Sequence, residues 1–487
     1  MKKLITILCL LIAVSAIALI TRCKTGQTGK QPTDTTITAV DLPTNIVPGF
    51  NFPEDSSTIY NWVKGTPPDT VSMLNHAWGI WAGLTAQSGQ TFGSDSLLVY
   101  QTWLGIGGIQ NLIFNNITSN KGMRTHTSPV LLSKPRQFFD AIKFASKKLK
   151  AIPFVDTNFI QWVAVAYNPQ AVSHVVSNSL FKASVIDSLQ RNHIGSIPQF
   201  PPNALTIKPV YLIAKPGDKA VRIPVWPGPR TTPNGFPPQS WNNYVWVDLS
   251  GKVVPSGRHL KPADSTANAA QILAATCSVN DFIHFKLDSN MAAYMNQQQG
   301  VQGIVAKAGD VALLVAMHVT TKEINNWTWE TYYWAPDPDN PLEPSSPVAA
   351  KLRPAQLKGA SRHYAVGVAY AMVQPNQPIS GGTNKGASPI FTYNPYLEAG
   401  FGPATFNLSN QLNPNFKYGI QTNCMSCHAL ADNAKTDNSF YSADQYISLN
   451  DTAIFKNYVR YDFAWSFQVG VEKDFSKLKE SRFEKLK

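Results

Sequence analysis

The chain has 487 residues, of which 44% are apolar and only 15% charged. That balance suits a folded protein of two or three domains and excludes an intrinsically disordered chain. The formal net charge is +12; part of it sits at Lys2, Lys3 and Lys477–Lys487, and the remainder reads mainly as scattered solvated surface, with an acidic partner or an anionic membrane surface as alternatives.

Residues 1–23 read as an export or lipoprotein signal. Lys2 and Lys3 precede an apolar run from Leu4 to Ile20, too short and wrongly flanked for a transmembrane helix. Ala16-Ile17-Ala18 resembles a cleavage site. Ile20-Thr21-Arg22-Cys23 resembles a lipobox, although Arg22 stands where a small residue is usual. Cleavage, lipidation at Cys23 and an uncleaved anchor all put the chain in the periplasm, free or membrane-anchored, including as an outer-membrane lipoprotein. Such a location argues against nucleic acid as a partner.

Residues 24–51 are polar and Thr/Pro-rich and read as a linker. Residues 52–200 are mainly helical by periodicity, as in Pro135–Leu149 and Asn168–Gln190. His76, next to Trp78 and Trp81, reads as a hydrogen-bonded core histidine in preference to a haem or substrate edge. Residues 201–400 change to strand texture. Ala204–Ile213, Val221–Trp226, Asn243–Leu249, Phe282–Leu287, Asp310–Val319 and Trp327–Trp334 are the expected strands, and Cys277 is an expected buried thiol. In residues 401–487, Ser442-Ala443-Asp444-Gln445 has the form of a capping box. A further helix is expected from Asn450 or Asp451 through about Val469. The fold class is α+β: a helical N-terminal region, a β-rich middle domain, and a short helical haem segment at the C-terminal end.

That last assignment rests on Cys424-Met425-Ser426-Cys427-His428. Cys-x-x-Cys-His is the attachment pattern for c-type haem. Two thiols three residues apart reach the two vinyl groups on one porphyrin edge, and His428 supplies a neutral imidazole to the iron. Zinc would need a second ligand pair of similar spacing, and a redox dithiol would be expected near a βαβ pattern. One covalent haem c at Cys424 and Cys427, with His428 as proximal iron ligand, is therefore expected.

Small c-type cytochromes place an axial Met after the motif, whereas between Ala429 and Lys487 there is neither Met nor His. The sixth ligand must come from upstream, or be water or a weaker group. His318, at the end of an apolar strand, is the first candidate. Met372 and His363 follow, then His284 and Met317.

The motif resembles that of c-type cytochromes over about the last fifth of the chain. More loosely, PQFPPNALTIKPVYLI, VAMHVTTKEINNWTWETYYW and QTNCMSCHALAD together resemble large bacterial exported proteins described as cytochrome c-like, whose reaction is not established. The resemblance implies haem attachment at Cys424, Cys427 and His428, and it implies no substrate. The expected function is one-electron transfer with a periplasmic or cell-surface redox partner. A peroxidase-like haem enzyme or a sensor with an open or displaceable sixth position is the alternative. A third reading is a binding module with Trp327–Trp334 exposed, against which stands core packing of that strand.

Overall fold

A computed structural model describes residues 36–134, 159–217, 220–230, 235–252, 259–298, 301, 303–377, 387–402, 419–434, 446–450 and 452–471. The expected signal with Cys23, the helix at Pro135–Leu149, the capping box at Ser442 and the basic terminus lie outside these residues.

The fold is α+β, built on one antiparallel sheet. Its long strands follow from runs of alternating β-branched and aromatic residues. The central hairpin pairs β13 (Val311–Thr321) with β14 (Thr328–Trp334), and β8 (Leu205–Ala214) lies on the other side of β13. The order is β15-β14-β13-β8-β7-β4, where β15 is Tyr364–Ala369, β7 is Ala166–Tyr167 and β4 is Leu104–Gly105. Two short strands, β6 (Gln161–Val163) and β12 (His284–Lys286), pair with β8 and β13. The N-terminal region thus contributes strands to the sheet as well as helices. A separate sheet is formed by β9 (Val221–Pro224), β10 (Tyr244–Asp248) and β11 (Thr276–Ser278), with Cys277 fully buried in β11.

The expected linker is packed from residue 36 onward. Ile37 is completely buried in β1 (Ile37–Thr38), which pairs with β5 (Thr125–His126), and Leu42 and Phe50 enter the main core. Few apolar residues carry this anchoring, so periodicity does not reveal it. The segment Asn168–Gln190 forms two helices, α3 (Pro169–Ser177) and α4 (Ala183–Arg191), numbered after α1 (Ser56–Lys64) and α2 (Thr70–Leu84). Asn168 caps α3 through a 3.0 Å bond from Ala171 N–H, with Pro169 in its first turn.

Paired residues share a face of a sheet, and successive residues alternate faces. The fully buried strand β14 therefore has two environments. Tyr332 turns toward α2, stacking on Trp81 at 4.4 Å and donating to Ala77 O at 2.5 Å. Trp329 and Thr331 face the other way, as do their cross-strand neighbours Thr320 and His318, and Lys208 on β8. One hydrophobic core lies with α2; a second holds Trp329, Met372 and the Cys-x-x-Cys-His segment. Burial of β14 removes the exposed aromatic surface that a binding-module reading needed.

Candidate haem-attachment site

The motif folds as a short helix, α5 (Cys424–Ala429). Asn423 caps it, accepting from Ser426 N–H at 3.1 Å. The same fully buried side chain donates to Ile390 O at 2.8 Å and Ala371 O at 3.2 Å. One residue thereby starts the helix and ties it to the chain leaving β15. At the other end, Trp465 Nε1 donates to Cys427 O at 3.2 Å.

His428 is held more specifically. Its Nδ1 lies 2.8 Å from Phe463 O. A carbonyl can only accept, so Nδ1 carries the proton and Nε2 keeps its lone pair. Nε2 has no hydrogen-bond partner among the described residues. Burial pushes the His428 pKa down to about 3; the carbonyl bond works the other way, and the charges of His318 and Lys208 add to the depression. The imidazole is neutral at any physiological pH, as an iron ligand must be. Phe463 presents its carbonyl from a left-handed conformation, φ 69°. Trp329 packs against the imidazole at 4.3 Å between ring centroids, tilted by 46°.

Neither Cys424 nor Cys427 is in a disulfide. Burial raises both thiols, with the Glu398 carboxylate adding to it: Cys424 well above its usual value and Cys427 to about 12. A dithiol oxidoreductase needs a depressed thiol pKa, the reverse of what surrounds this pair. Among the described residues no three His, Cys, Asp or Glu side chains converge as a metal site. Haem attachment makes no such demand, because it uses two thiols for carbon–sulfur bonds and one imidazole for iron. The donor set of free thiols and an oriented neutral imidazole fits covalent haem.

His318 lies on the motif's side of the sheet, near enough for its charge to bear on His428. Its Nε2 is 2.8 Å from Glu398 Oε1, and Nδ1 has no hydrogen-bond partner among the described residues. Glu398 is fixed in turn by Asn394 N–H at 2.5 Å. Lys208, directly opposite His318 on β8, has its pKa lowered to about 8 by burial, against the opposing effects of the Glu398 and Cys427 charges. Lys208 and Glu398 escape the sequence reading. A lysine inside LTIKPVYLI was a visible signal, whereas Glu398 sits in a loop that carries none.

The other candidates are dispersed. Met372 is buried in the motif's own core, its sulfur accepting from Ile447 N–H at 3.2 Å. His363 lies elsewhere, 3.4 Å from Asp281 and stacked on Trp334 of the first core. Met317 is also in that first core, and His284 Nδ1 donates to Phe282 O at 2.9 Å. His76 is buried between Tyr370 OH, 2.7 Å away, and Glu323, 3.1 Å away, as a core histidine should be.

The helix expected through Val469 is broken. Short helices at Thr452–Phe455 and Ser466–Gly470 flank left-handed residues Asn457, Asp462 and Phe463. The break is what brings Phe463 O to His428. Among the described residues no helix is long and apolar enough to cross a membrane. The chain matches no protein-family model, no curated protein and no solved structure.

Proposed function

We propose that Cys424 and Cys427 carry one covalently attached haem c, that His428 Nε2 is its proximal ligand, and that the protein transfers single electrons outside the inner membrane. The observation that carries this reading is the 2.8 Å bond from His428 Nδ1–H to Phe463 O beside two thiols that form no disulfide. An attached haem supplies a one-electron iron couple whose potential depends on its ligands and burial. The chain's own residues do the rest. Phe463 O selects the tautomer, Trp329 sets the plane of the ring, and Asn423 holds the helix that spaces the thiols. Glu398 orients His318, in the manner of carboxylates behind ligating imidazoles, which supports His318 Nδ1 as the distal donor.

A second reading, a haem enzyme or sensor, is favoured by the same His318–Glu398 pair together with Lys208. With the sixth position open, a histidine–carboxylate pair could serve as acid and base. Spectroscopy of the protein exported with haem-attachment machinery separates the two readings. Low-spin six-coordinate iron supports the relay; high-spin iron that accepts added ligands supports the enzyme or sensor. A mature chain lacking haem bound through Cys424 and Cys427 defeats both.

A further inference from the structure

On the sheet face turned away from the motif, the structure forms a partly open cavity of about 230 Å³. It lies between β8, the helix Ser289–Asn296 and the hairpin of β2 (Gln87–Phe92) and β3 (Asp95–Leu98). Ile207 and Tyr211 line it from β8, on the opposite side of the strand from Lys208. Leu132, Phe285 and Met291 make much of the wall apolar, while Ser94, Asp95, Gln101, His284 and Lys286 also line it.

Among its polar groups is a pair of hydroxyls. Tyr100 and Tyr211 both line the cavity, are each 3% exposed, and have their hydroxyl oxygens 3.0 Å apart. One hydroxyl donates to the other, so the pair has one further proton to give. Among the described residues that proton has no acceptor. Burial raises both pKa values, which keeps the phenols protonated and the surplus donor in place. A buried donor without a partner is costly.

We propose that this cavity binds a single-ring aromatic molecule bearing a carbonyl oxygen, which accepts the surplus tyrosine proton. An apolar cavity of about 150 Å³ is enough to hold benzene, so this one has room for a ring with a short carbonyl substituent. Phe285, edge-on to Tyr211 at 5.3 Å, shows the ring-to-ring geometry that such a ligand can extend.

The test uses the full-length protein with acetophenone as probe and ethylbenzene as its near-isostere without an acceptor, titrated by calorimetry or saturation-transfer NMR. The expected result is saturable binding of acetophenone, about tenfold tighter than ethylbenzene. In Y100F/Y211F, acetophenone binding should fall to the ethylbenzene level while ethylbenzene is unaffected. Three results overturn the proposal: no saturable acetophenone binding, as for a cavity that holds water only; equal affinities for the two probes; or a folded double variant that keeps the preference. If the double variant loses its cooperative melt, the wild-type affinity ratio decides alone.

Discussion

Trp329 and His428 are nearly a hundred positions apart, yet their rings pack at 4.3 Å. The contact joins the middle of the sheet to the attachment helix. Trp329 is 3% exposed, and its Nε1 donates to Asn326 O at 2.9 Å. Trp329→Ala should cost about 3–5 kcal/mol, as expected for truncating a buried Trp. Urea unfolding measures this, and a loss below about 1 kcal/mol would contradict the packing.

His318→Ala should convert low-spin iron to high-spin if His318 is the distal ligand. An absorption spectrum unchanged by the substitution rules that assignment out. Glu398→Gln leaves the imidazole in place but removes the carboxylate that orients it, so it should weaken the low-spin signature without abolishing it.

On the face opposite Trp329, Glu330 is 1% exposed. Tyr370 and Thr328 lie near enough to favour its charge, but neither carboxylate oxygen has a hydrogen-bond partner among the described residues. Burial raises its pKa to about 7, only partly opposed by the charge of His76. The folded state therefore holds this proton more tightly than the unfolded state. Its contribution is fully present below the unfolded carboxyl pKa and is lost as pH rises toward 7. The loss is on the order of 3 kcal/mol. Glu330→Gln should flatten this part of the stability profile. Denaturant titrations at pH 4.5 and 7.5 check it, and an equal slope in both proteins would refute it.

Lys322 Nζ and Asp462 Oδ1 form a buried ion pair at 2.6 Å, with side chains 3% and 6% exposed. Asp462 also accepts from Phe200 N–H at 3.0 Å. Asp462→Ala strands a buried ammonium and should cost about 3–5 kcal/mol. Because Asp462 precedes Phe463, the variant should also perturb the haem spectrum. Lys322→Met combined with Asp462→Leu should recover most of the stability. A double-mutant cycle with no coupling would count against the pair.

The strands of the central hairpin were legible because WTWETYYW and DVALLVAMHV carry β-branched and aromatic runs that suit only buried strand. The Cys-x-x-Cys-His motif is five contiguous residues, so it can be read without the fold. His318 could be singled out as a histidine ending an apolar strand, and the structure puts it on the motif's side. The Phe463 carbonyl could not be anticipated. It depends on left-handed backbone at Asp462 and Phe463, within a segment whose spacing reads as helix. Glu398 was invisible for a related reason: its position comes from loop packing, which leaves no periodic trace.

The alternation of β14 also makes its alignment with β13 unforgiving. A slip of one position would turn Glu330 toward His428 and bury Trp329 among His76, Glu323 and Tyr370. A carboxylate would then face the His428 imidazole, and a bulky indole would occupy the space of the Glu330 carboxylate. Both chambers would be lost in one event, although neither had been mutated. A misaligned hairpin is therefore an all-or-nothing defect, detectable as chains that lack haem and melt early together.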